Sequence, residues 1–223
     1  MDILFDLDGT LVDPKLGIIS SVQYALRGLG LPVPPAEELL GFIGPPLRSS
    51  FPTIGVAAAD VEQALVLYRE NYTGAGGTRP PAMYDAEVYS GIADGLDALR
   101  RAGCRLIVAT SKPHVYARPI LREKGLAQYF SAIHGSELDG TRDDKGELIA
   151  YILKTERVEP AHALMIGDRK YDIIGAQKNG LRSIGATWGY GTMTELRDAG
   201  ASALCPKPQG LHRLVLWMLT GHG

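Results

Sequence analysis

Two aspartates, Asp6 and Asp8, follow the short apolar run of residues 3–5 and come directly before Gly9 and Thr10. Side chains two residues apart on an extended strand point the same way, so both carboxylates would face one place. Like charges held together repel each other and lose hydration when they are buried. A divalent cation between them removes this conflict, and Mg²⁺ binds carboxylate oxygens together with water and phosphate. A turn-forming aspartate without chemistry is the alternative, and a single D-x-D-G-T match leaves both interpretations open.

The composition excludes several classes of protein. The chain has 223 residues, of which 45% are hydrophobic and 22% charged, so it can bury a core and is not disordered. Its formal net charge is -2 and its pI is near 6.2, so no basic field indicates a nucleic acid polymer as a partner. No apolar stretch approaches the ~20 residues of a membrane span, and we expect no membrane contact.

Other features favour a cytoplasmic protein. The first predicted strand begins almost at Met1, which leaves no room for a signal peptide. Cys104 and Cys205 are far apart in sequence and lack the spacing of a metal site, so we predict two buried free thiols. The sequence shows no coiled-coil pattern, and we expect a monomer or a weak homodimer.

Helical periodicity dominates residues 14–88. Apolar residues recur at helical spacing in two stripes, and Gly30 is placed to end the first helix. The stripes are Leu16, Ile19, Val22, Leu26 and Leu29, and then Val61, Ala64, Leu65, Tyr68 and Tyr72. Prolines and glycines interrupt the chain between them, and residues 74–81 are typical of a loop. We therefore predict an all-helical domain over residues 14–88, inserted after the first strand.

Strands and helices alternate through the rest of the chain. Apolar runs predict strands at 105–109 and 163–166, and weaker ones at 132–133 and 182–185. Helical patterns occupy 92–103, 114–124, 148–153, 170–179 and 211–218. Such alternation is typical of a parallel sheet with helices on both faces. We predict an α/β fold, a Rossmann-like three-layer parallel sheet formed by residues 1–13 and 89–223.

Polar side chains follow the carboxyl ends of these predicted strands. Ligands of parallel α/β sheets bind beyond such ends, near a switch in strand order. The residues are Thr110, Ser111 and Lys112 after the strand at 105–109, Lys145 at a helix start, and Asp168 after the strand at 163–166. Each alone has a structural explanation, as a helix cap or a solvated charge. Their coincidence with Asp6 and Asp8 favours a functional site.

These motifs resemble those of haloacid dehalogenase superfamily phosphohydrolases with a helical cap. The resemblance rests on D-L-D-G-T-L at 6–11, T-S-K-P at 110–113, Lys145, and G-D-R-K-Y-D at 167–172, in the order of the family. It covers essentially the whole chain, including the size and position of the cap. Three stretches further resemble phosphoglycolate phosphatases and bacterial 5'-nucleotidases: F-I-G-P-P-L at 42–47, G-D-R-K-Y-D-I-I-G-A at 167–176 and G-Y-G at 189–191.

The resemblance implies a Mg²⁺-dependent phosphatase that forms an aspartyl-phosphate. It implies Asp6 as the nucleophile and Asp8 as the general acid and then the general base. It implies Mg²⁺ ligands on Asp6, the backbone carbonyl of Asp8 and Asp168, with Asp172 supporting the metal shell. Catalytic or phosphate contacts are implied for Gly9, Thr110, Ser111, Lys112 and Lys145, the last also pairing with Asp6.

The helical cap is expected to act as a lid that contacts the leaving group and sets specificity. Arg48 is the cap candidate for an anionic leaving group, with a surface arginine as the favoured alternative. The expected substrate is a small phosphate ester. The sequence leaves phosphoglycolate, a nucleoside monophosphate and a phosphosugar open.

The same residues bear on other activities. A dehalogenase needs neither Asp8 nor a metal, and the presence of Asp8 and Asp168 argues against it. A phosphonatase needs a cap lysine, and Lys15 at the cap entrance is the single lysine between Asp13 and Tyr89. A phosphosugar mutase keeps every catalytic residue named above, and the sequence does not exclude it. A non-catalytic phosphate-ligand-binding protein is the alternative of another class, and the retained acids disfavour it.

Overall fold

The computed structural model describes residues 1–75, 77 and 80–219. These residues form two compact units. One, which we call the core unit, comprises Met1–Asp13 together with the described residues from Val88 onward. The other, which we call the helical unit, comprises the described residues of Pro14–Glu87.

The core unit is built on a six-stranded sheet whose neighbouring strands are parallel throughout the described residues. The described residues form eight strands in all, six in this sheet and two outside it. They are β1 (Asp2–Phe5), β2 (Val12–Asp13), β3 (Glu87–Val88), β4 (Arg105–Pro113), β5 (Ala132–Ser136), β6 (Ala163–Gly167), β7 (Arg182–Ala186) and β8 (Ala203–Cys205). The order across the sheet is β5-β4-β1-β6-β7-β8, and β2 and β3 form a separate two-stranded sheet. β1 therefore lies between β4 and β6, with Phe5 paired to Val108 and Ile166. Strand order reverses here, where a ligand site is expected.

Helices cover both faces of the central strand. The α-helices of the core unit are α4 (Ile92–Arg101), α5 (His114–Glu123), α6 (Lys145–Glu156), α7 (Lys170–Lys178), α8 (Met193–Asp198) and α9 (Pro208–Leu219). Those of the helical unit are α1 (Lys15–Gly28), α2 (Leu47–Ser50) and α3 (Val61–Thr73). Leu4, Ile107 and Met165 of the sheet form one apolar cluster with residues of α6 and α7. Ile3 and Phe5 point to the opposite face, because side chains alternate along a strand, and both are also fully buried. α4 and α9 form a second packed pair, and α4 contacts β4. The predicted three-layer α/β architecture is confirmed.

The helical unit is organised by the packing of α1 on α3. Tyr24 OH donates to Glu70 Oε1 at 3.1 Å, and Asn71 Nδ2 donates to Ser21 Oγ at 3.0 Å, so polar contacts also join the two helices. The chain between them forms the 3₁₀ helices Ala36–Phe42, Phe51–Ile54 and Ala58–Asp60 in addition to α2. Prolines in this stretch remove the N–H groups that a long α-helix needs.

The structure extends or corrects several predicted elements. β4 and β5 run past the apolar runs that predicted them, because polar residues continue each strand toward its carboxyl end. The sequence did not predict α8 and β8, which are too short to show a periodic pattern. The all-helical prediction for residues 14–88 is wrong at its end, where Glu87–Val88 forms β3. Residues 76, 78 and 79 of the predicted 74–81 loop lie outside the described residues.

The described residues bear on two expectations from composition. Within the described residues, no helix combines the length and the apolar character that a membrane crossing requires. Cys104 and Cys205 are buried free thiols, as predicted. Burial raises the pKa of both thiols, so they are poor nucleophiles at neutral pH.

Candidate active site

Asp6 and Asp8 lie on the loop that follows β1. Both are buried, with 5% and 7% of their surface exposed. Gly9 turns this loop with a φ of +80°, and its N–H donates to Val12 O at 2.8 Å. A Cβ at Gly9 would lie under 3.0 Å from the Asp168 carboxylate. Glycine is therefore required here for the close approach of two loops, and not only for the turn.

Lys145 is the first residue of α6, as predicted, and Asp144 caps the helix. Lys145 Nζ lies 3.0 Å from Asp6 Oδ1 and 2.8 Å from Asp172 Oδ1, and it donates to Ala109 O at 2.9 Å. Its side chain is 4% exposed. Burial alone would lower the pKa of Lys145, but the charges of Asp172 and Asp6 outweigh burial and raise it. Lys145 therefore stays an ammonium ion that holds Asp6 in place.

Three buried carboxylates, from Asp6, Asp168 and Asp172, form a compact group. One oxygen of each lies within 4.8 Å of the other two. Asp168 accepts from Thr10 Oγ1 at 3.3 Å and from Tyr190 N at 2.7 Å, so both of its oxygens are fixed. Burial, followed by the charges of Asp6 and Asp172, raises the pKa of Asp168 well above its ordinary value. The ionised group is therefore under electrostatic repulsion unless a cation binds.

Asp172 contributes a carboxylate that is held on both sides. Its Oδ2 accepts from Arg169 N at 3.1 Å at the start of α7. Its Oδ1 lies 2.8 Å from Lys145 Nζ, so each oxygen of this carboxylate has a partner. Burial raises the pKa of Asp172 to about 6, although Lys145 opposes the shift. A carboxylate oxygen accepts more than one partner, so a hard cation or its bound water could still bind Asp172.

The ligand atoms of the site fit Mg²⁺. Asp6, Asp168 and Asp172 bring three buried carboxylates together, and Lys145 contacts Asp6 and Asp172. A divalent cation would offset the negative charge that this one lysine leaves unbalanced. Carboxylate oxygens are the hard ligands that Mg²⁺ prefers. Asp6 and Asp168 could hold it directly, and Asp172 could do so directly or through water.

Lys112 pairs with Asp8, a contact that the sequence did not predict. Its Nζ lies 2.7 Å from Asp8 Oδ2 and 2.9 Å from Oδ1, and the two side chains are 6% and 10% exposed. Burial raises the pKa of Asp8, and Lys112 opposes this shift. Thr110, buried, and Ser111, partly buried, precede Lys112 on the same polar end of β4. β4 adjoins β1, so these three residues lie at the strand end next to the acids.

Arg48 does not belong to this group of core-unit residues. It lies in α2 of the helical unit, where its guanidinium contacts the carboxylate of Glu62 in α3. Its side chain is 44% exposed. This ion pair supports the interpretation of Arg48 as a surface arginine, and its contact with a leaving group stays a prediction.

Residues 188–191, which follow β7, contribute contacts to the site that sequence reasoning missed. Trp188 Nε1 donates to Thr10 O at 3.1 Å, and Tyr190 N donates to Asp168. The Tyr190 hydroxyl donates to Asp13. A Cβ at Gly191 would lie under 3.0 Å from the Asp168 carbonyl oxygen. The available signals were the G-Y-G match and the position of this segment after a strand of the parallel sheet.

Comparison with known proteins places the chain in a family. The model of the family described as haloacid dehalogenase-like hydrolase matches residues 3–186. The chain is 44% identical over 215 residues to the 5'-nucleotidase of Pseudomonas aeruginosa, covering 96% of this chain and 95% of that protein. It is 32% identical to phosphoglycolate phosphatase 1 of the same organism, covering 84% of this chain and 70% of that protein.

Two further similarities come from other bacteria. The tyrosine-protein kinase PtkA of Mycobacterium tuberculosis is 39% identical over 189 residues, which cover 85% of this chain and 62% of PtkA. A crystal structure of a predicted phosphatase from Clostridium acetobutylicum superposes with a TM-score of 0.90 at 41% identity, covering 96% of this chain and 97% of that one. With this sequence match, this fold and these buried acids, the chain belongs to the haloacid dehalogenase-like hydrolases and is a phosphoric monoester hydrolase.

Proposed function

We propose that the protein is a Mg²⁺-dependent phosphatase that cleaves a small phosphorylated metabolite through an aspartyl-phosphate on Asp6. The observation that supports this most strongly is the buried group in which Asp6 is held by Lys145 within 4.8 Å of Asp168 and Asp172. A carboxylate is a competent nucleophile toward phosphorus when nearby positive charge neutralises the phosphoryl oxygens. Lys145 supplies one such charge, and bound Mg²⁺ would supply Lewis acidity and the rest.

The first chemical step transfers the phosphoryl group to the protein. An Asp6 carboxylate oxygen forms a bond to phosphorus while the bond from phosphorus to the leaving oxygen breaks. Asp8 gives a proton to that oxygen, so the product leaves as a neutral alcohol. Thr110 and backbone N–H groups near Ser111 bind phosphoryl oxygens in this proposal. Lys145 stays beside Asp6 and stabilises the charge that passes through the transition state.

The second step returns the phosphoryl group to water. Asp8, now a carboxylate, removes a proton from a water molecule, whose oxygen attacks phosphorus. The bond between phosphorus and the Asp6 oxygen breaks, releasing inorganic phosphate and restoring the Asp6 carboxylate. Asp8 thus ends the cycle protonated, ready for the next leaving group.

The substrate class is proposed from the relatives. One is named a 5'-nucleotidase and another a phosphoglycolate phosphatase, so a nucleoside monophosphate and a phosphoglycolate-like ester are the first compounds to assay. The core residues act on the phosphoryl group that both compounds share. Discrimination between them therefore depends on contacts with the alcohol part of the substrate.

The test is phosphate release from a panel of phosphate esters in the presence of MgCl₂ or EDTA. The panel contains phosphoglycolate, nucleoside monophosphates, p-nitrophenyl phosphate and glucose 1-phosphate. We expect Mg²⁺-dependent release that Asp6→Asn abolishes and that Asp97→Asn, at a partly exposed acid on α4 that pairs with Arg101, leaves unchanged. Borohydride reduction during turnover should trap the acyl phosphate at position 6. Activity that persists in Asp6→Asn contradicts the mechanism, conversion of glucose 1-phosphate to its 6-phosphate favours a mutase, and no activity favours a binding protein.

A further inference from the structure

Lys112 and Lys145 hold two different acids of the site. Lys145 contacts Asp6 and Asp172, whereas Lys112 contacts both oxygens of Asp8, at 2.7 and 2.9 Å. The two ammonium groups therefore do not substitute for each other. If Asp6 is the nucleophile and Asp8 exchanges protons, Lys145 lies on the nucleophile and Lys112 on the acid/base group.

The Lys112 contact is fixed from both sides. Its side chain is 6% exposed and that of Asp8 is 10% exposed, so neither can exchange its partner for bulk water without moving. The Lys112 backbone N–H donates to Thr110 Oγ1 at 3.2 Å, which ties the residue to the end of β4. Contact with both oxygens restrains the rotation of the Asp8 carboxylate, which a contact with one oxygen would allow.

Asp8 needs such a restraint because proton transfer depends on the position of its carboxyl oxygens. Asp8 lies on the loop after β1, two residues from Asp6, and both side chains are buried. Without the contact to Lys112, the Asp8 side chain could turn away from the orientation in which proton transfer takes place. Proton transfer requires a heavy-atom approach of about 2.6–3.2 Å, so a small displacement is enough to prevent it.

We infer that Lys112 is a positioning residue that fixes the Asp8 carboxyl group for proton exchange, first with the leaving oxygen and then with water. This inference rests on the proposed phosphatase mechanism. In the first step the bond between phosphorus and the leaving oxygen breaks, and the Asp8 proton moves to that oxygen. Lys112 neither gives nor takes a proton and forms no covalent bond. It replaces the direct phosphate contact that the family resemblance implied for this lysine.

The sharpest test compares two aryl esters of similar size whose leaving groups differ in basicity. Phenolate needs a proton from Asp8 as it leaves, whereas p-nitrophenolate leaves readily without one. Rapid-quench measurement of the first turnover isolates this step from the later attack by water. For Lys112→Met we expect first-turnover release of phenol to fall by about 10²-fold, as for loss of a general acid, while release of p-nitrophenol changes by less than about threefold.

Three variants serve as controls. Lys154→Met makes the same substitution at an exposed lysine of α6 and should leave both rates unchanged. Lys112→Arg keeps a cation at this position and should restore part of the phenol rate. Adding Lys112→Met to Asp8→Asn should cause no further loss, because a positioning residue has no effect once the group it positions is gone.

The outcomes separate this inference from the proposed function. If the wild-type protein releases neither phenol nor p-nitrophenol, the phosphatase mechanism fails and the inference fails with it. If the wild type is active but Lys112→Met slows both esters equally, or raises KM with kcat unchanged, Lys112 binds the phosphoryl group and the inference alone is overturned. Additive losses in the double variant with Asp8→Asn overturn it as well.

Discussion

Replacing Asp168 by asparagine should raise the stability of the metal-free fold and weaken the binding of metal. Asp168 is fully buried, and one of its oxygens lies within 4.8 Å of ligand oxygens of Asp6 and Asp172. Because Lys145 neutralises one of these two neighbours, Asp168 faces roughly one uncompensated negative charge. With an effective dielectric constant of about 20, that repulsion is about 3 kcal/mol at such a distance.

The substitution also has a cost. Asp168 accepts hydrogen bonds from Thr10 Oγ1 and from Tyr190 N, and an amide offers a single acceptor atom in place of two. Losing one of these bonds costs about 1 kcal/mol. Without metal, the net expectation is that Asp168→Asn is more stable than the wild type by on the order of 2 kcal/mol.

The raised pKa of Asp168 leads to the same expectation, that Asp168→Asn is more stable than the wild type without metal. A carboxyl group whose pKa is raised in the folded state holds its proton more tightly there than in the unfolded chain. Stability is therefore lost as the pH rises from the ordinary aspartate pKa toward the raised one. At neutral pH, ionisation of this carboxyl opposes folding, and the amide removes that opposition.

Mg²⁺ should reverse the order of stability. A ligand present at 100 times its Kd stabilises the folded state by about 2.7 kcal/mol. At ~2–4 °C per kcal/mol for a chain of this size, the wild-type Tm should rise by roughly 5–11 °C. Asp168→Asn should show little of this increase, because it lacks one of the three carboxylates that would hold the cation.

Intrinsic tryptophan fluorescence is a suitable assay. Trp188 and Trp217 are the two tryptophans of the chain, and both lie in the core unit. Thermal unfolding would be followed in EDTA and in MgCl₂ for the wild type, Asp168→Asn and the control Asp97→Asn. The reasoning is refuted if Mg²⁺ leaves the wild-type Tm unchanged, or if Asp168→Asn is less stable than the wild type in EDTA.

Two further substitutions test how residues 188–191 support the site. Gly191→Ala places a Cβ under 3.0 Å from the Asp168 carbonyl oxygen and should displace that loop, lowering kcat/KM on p-nitrophenyl phosphate by about 10²-fold; Gly95→Ala, whose Cβ would make an ordinary contact at 3.9 Å, should not. Tyr190→Phe removes the hydroxyl that donates to Asp13 but keeps the N–H that donates to Asp168, so urea unfolding should show a loss of about 1–2 kcal/mol with the Mg²⁺-induced Tm shift retained. Loss of that shift in Tyr190→Phe would show that the hydroxyl, and not the backbone, secures the metal ligand.

The sequence predicts those parts of the fold and site that depend on local patterns. Apolar periodicity located the helices α1 and α3 and the buried strands β1, β4 and β6, because each is long or apolar enough to show its own period. The acids Asp6 and Asp168 and the cation Lys145 were predicted because they lie directly at element ends. Such residues share one edge of any parallel sheet, whatever the order of its strands.

Contacts between distant segments could not be predicted in this way. The pairing of Lys112 with Asp8 requires β4 to adjoin β1 in a particular register, and alternation of strands and helices does not specify that neighbour. Tyr190 donates to Asp168 from a loop after β7, a strand with a weak apolar signal. The roles of these residues depend on strand order, which is a property of the packed sheet and not of any single segment.

The same packing fixes the orientation of the Asp168 carboxylate. Thr10 and Tyr190 each donate to one oxygen of Asp168, and the close approach of Gly9 and Gly189 leaves no room beside its carboxylate for a further side chain. The carboxylate therefore cannot relieve repulsion by rotating toward solvent, and the repulsion appears instead as a raised pKa. A site fixed in this way binds a cation with little rearrangement, and it is less stable until the cation arrives. Lower stability without metal and readiness to bind Mg²⁺ thus have one structural cause, which is why a single amide at position 168 should change both.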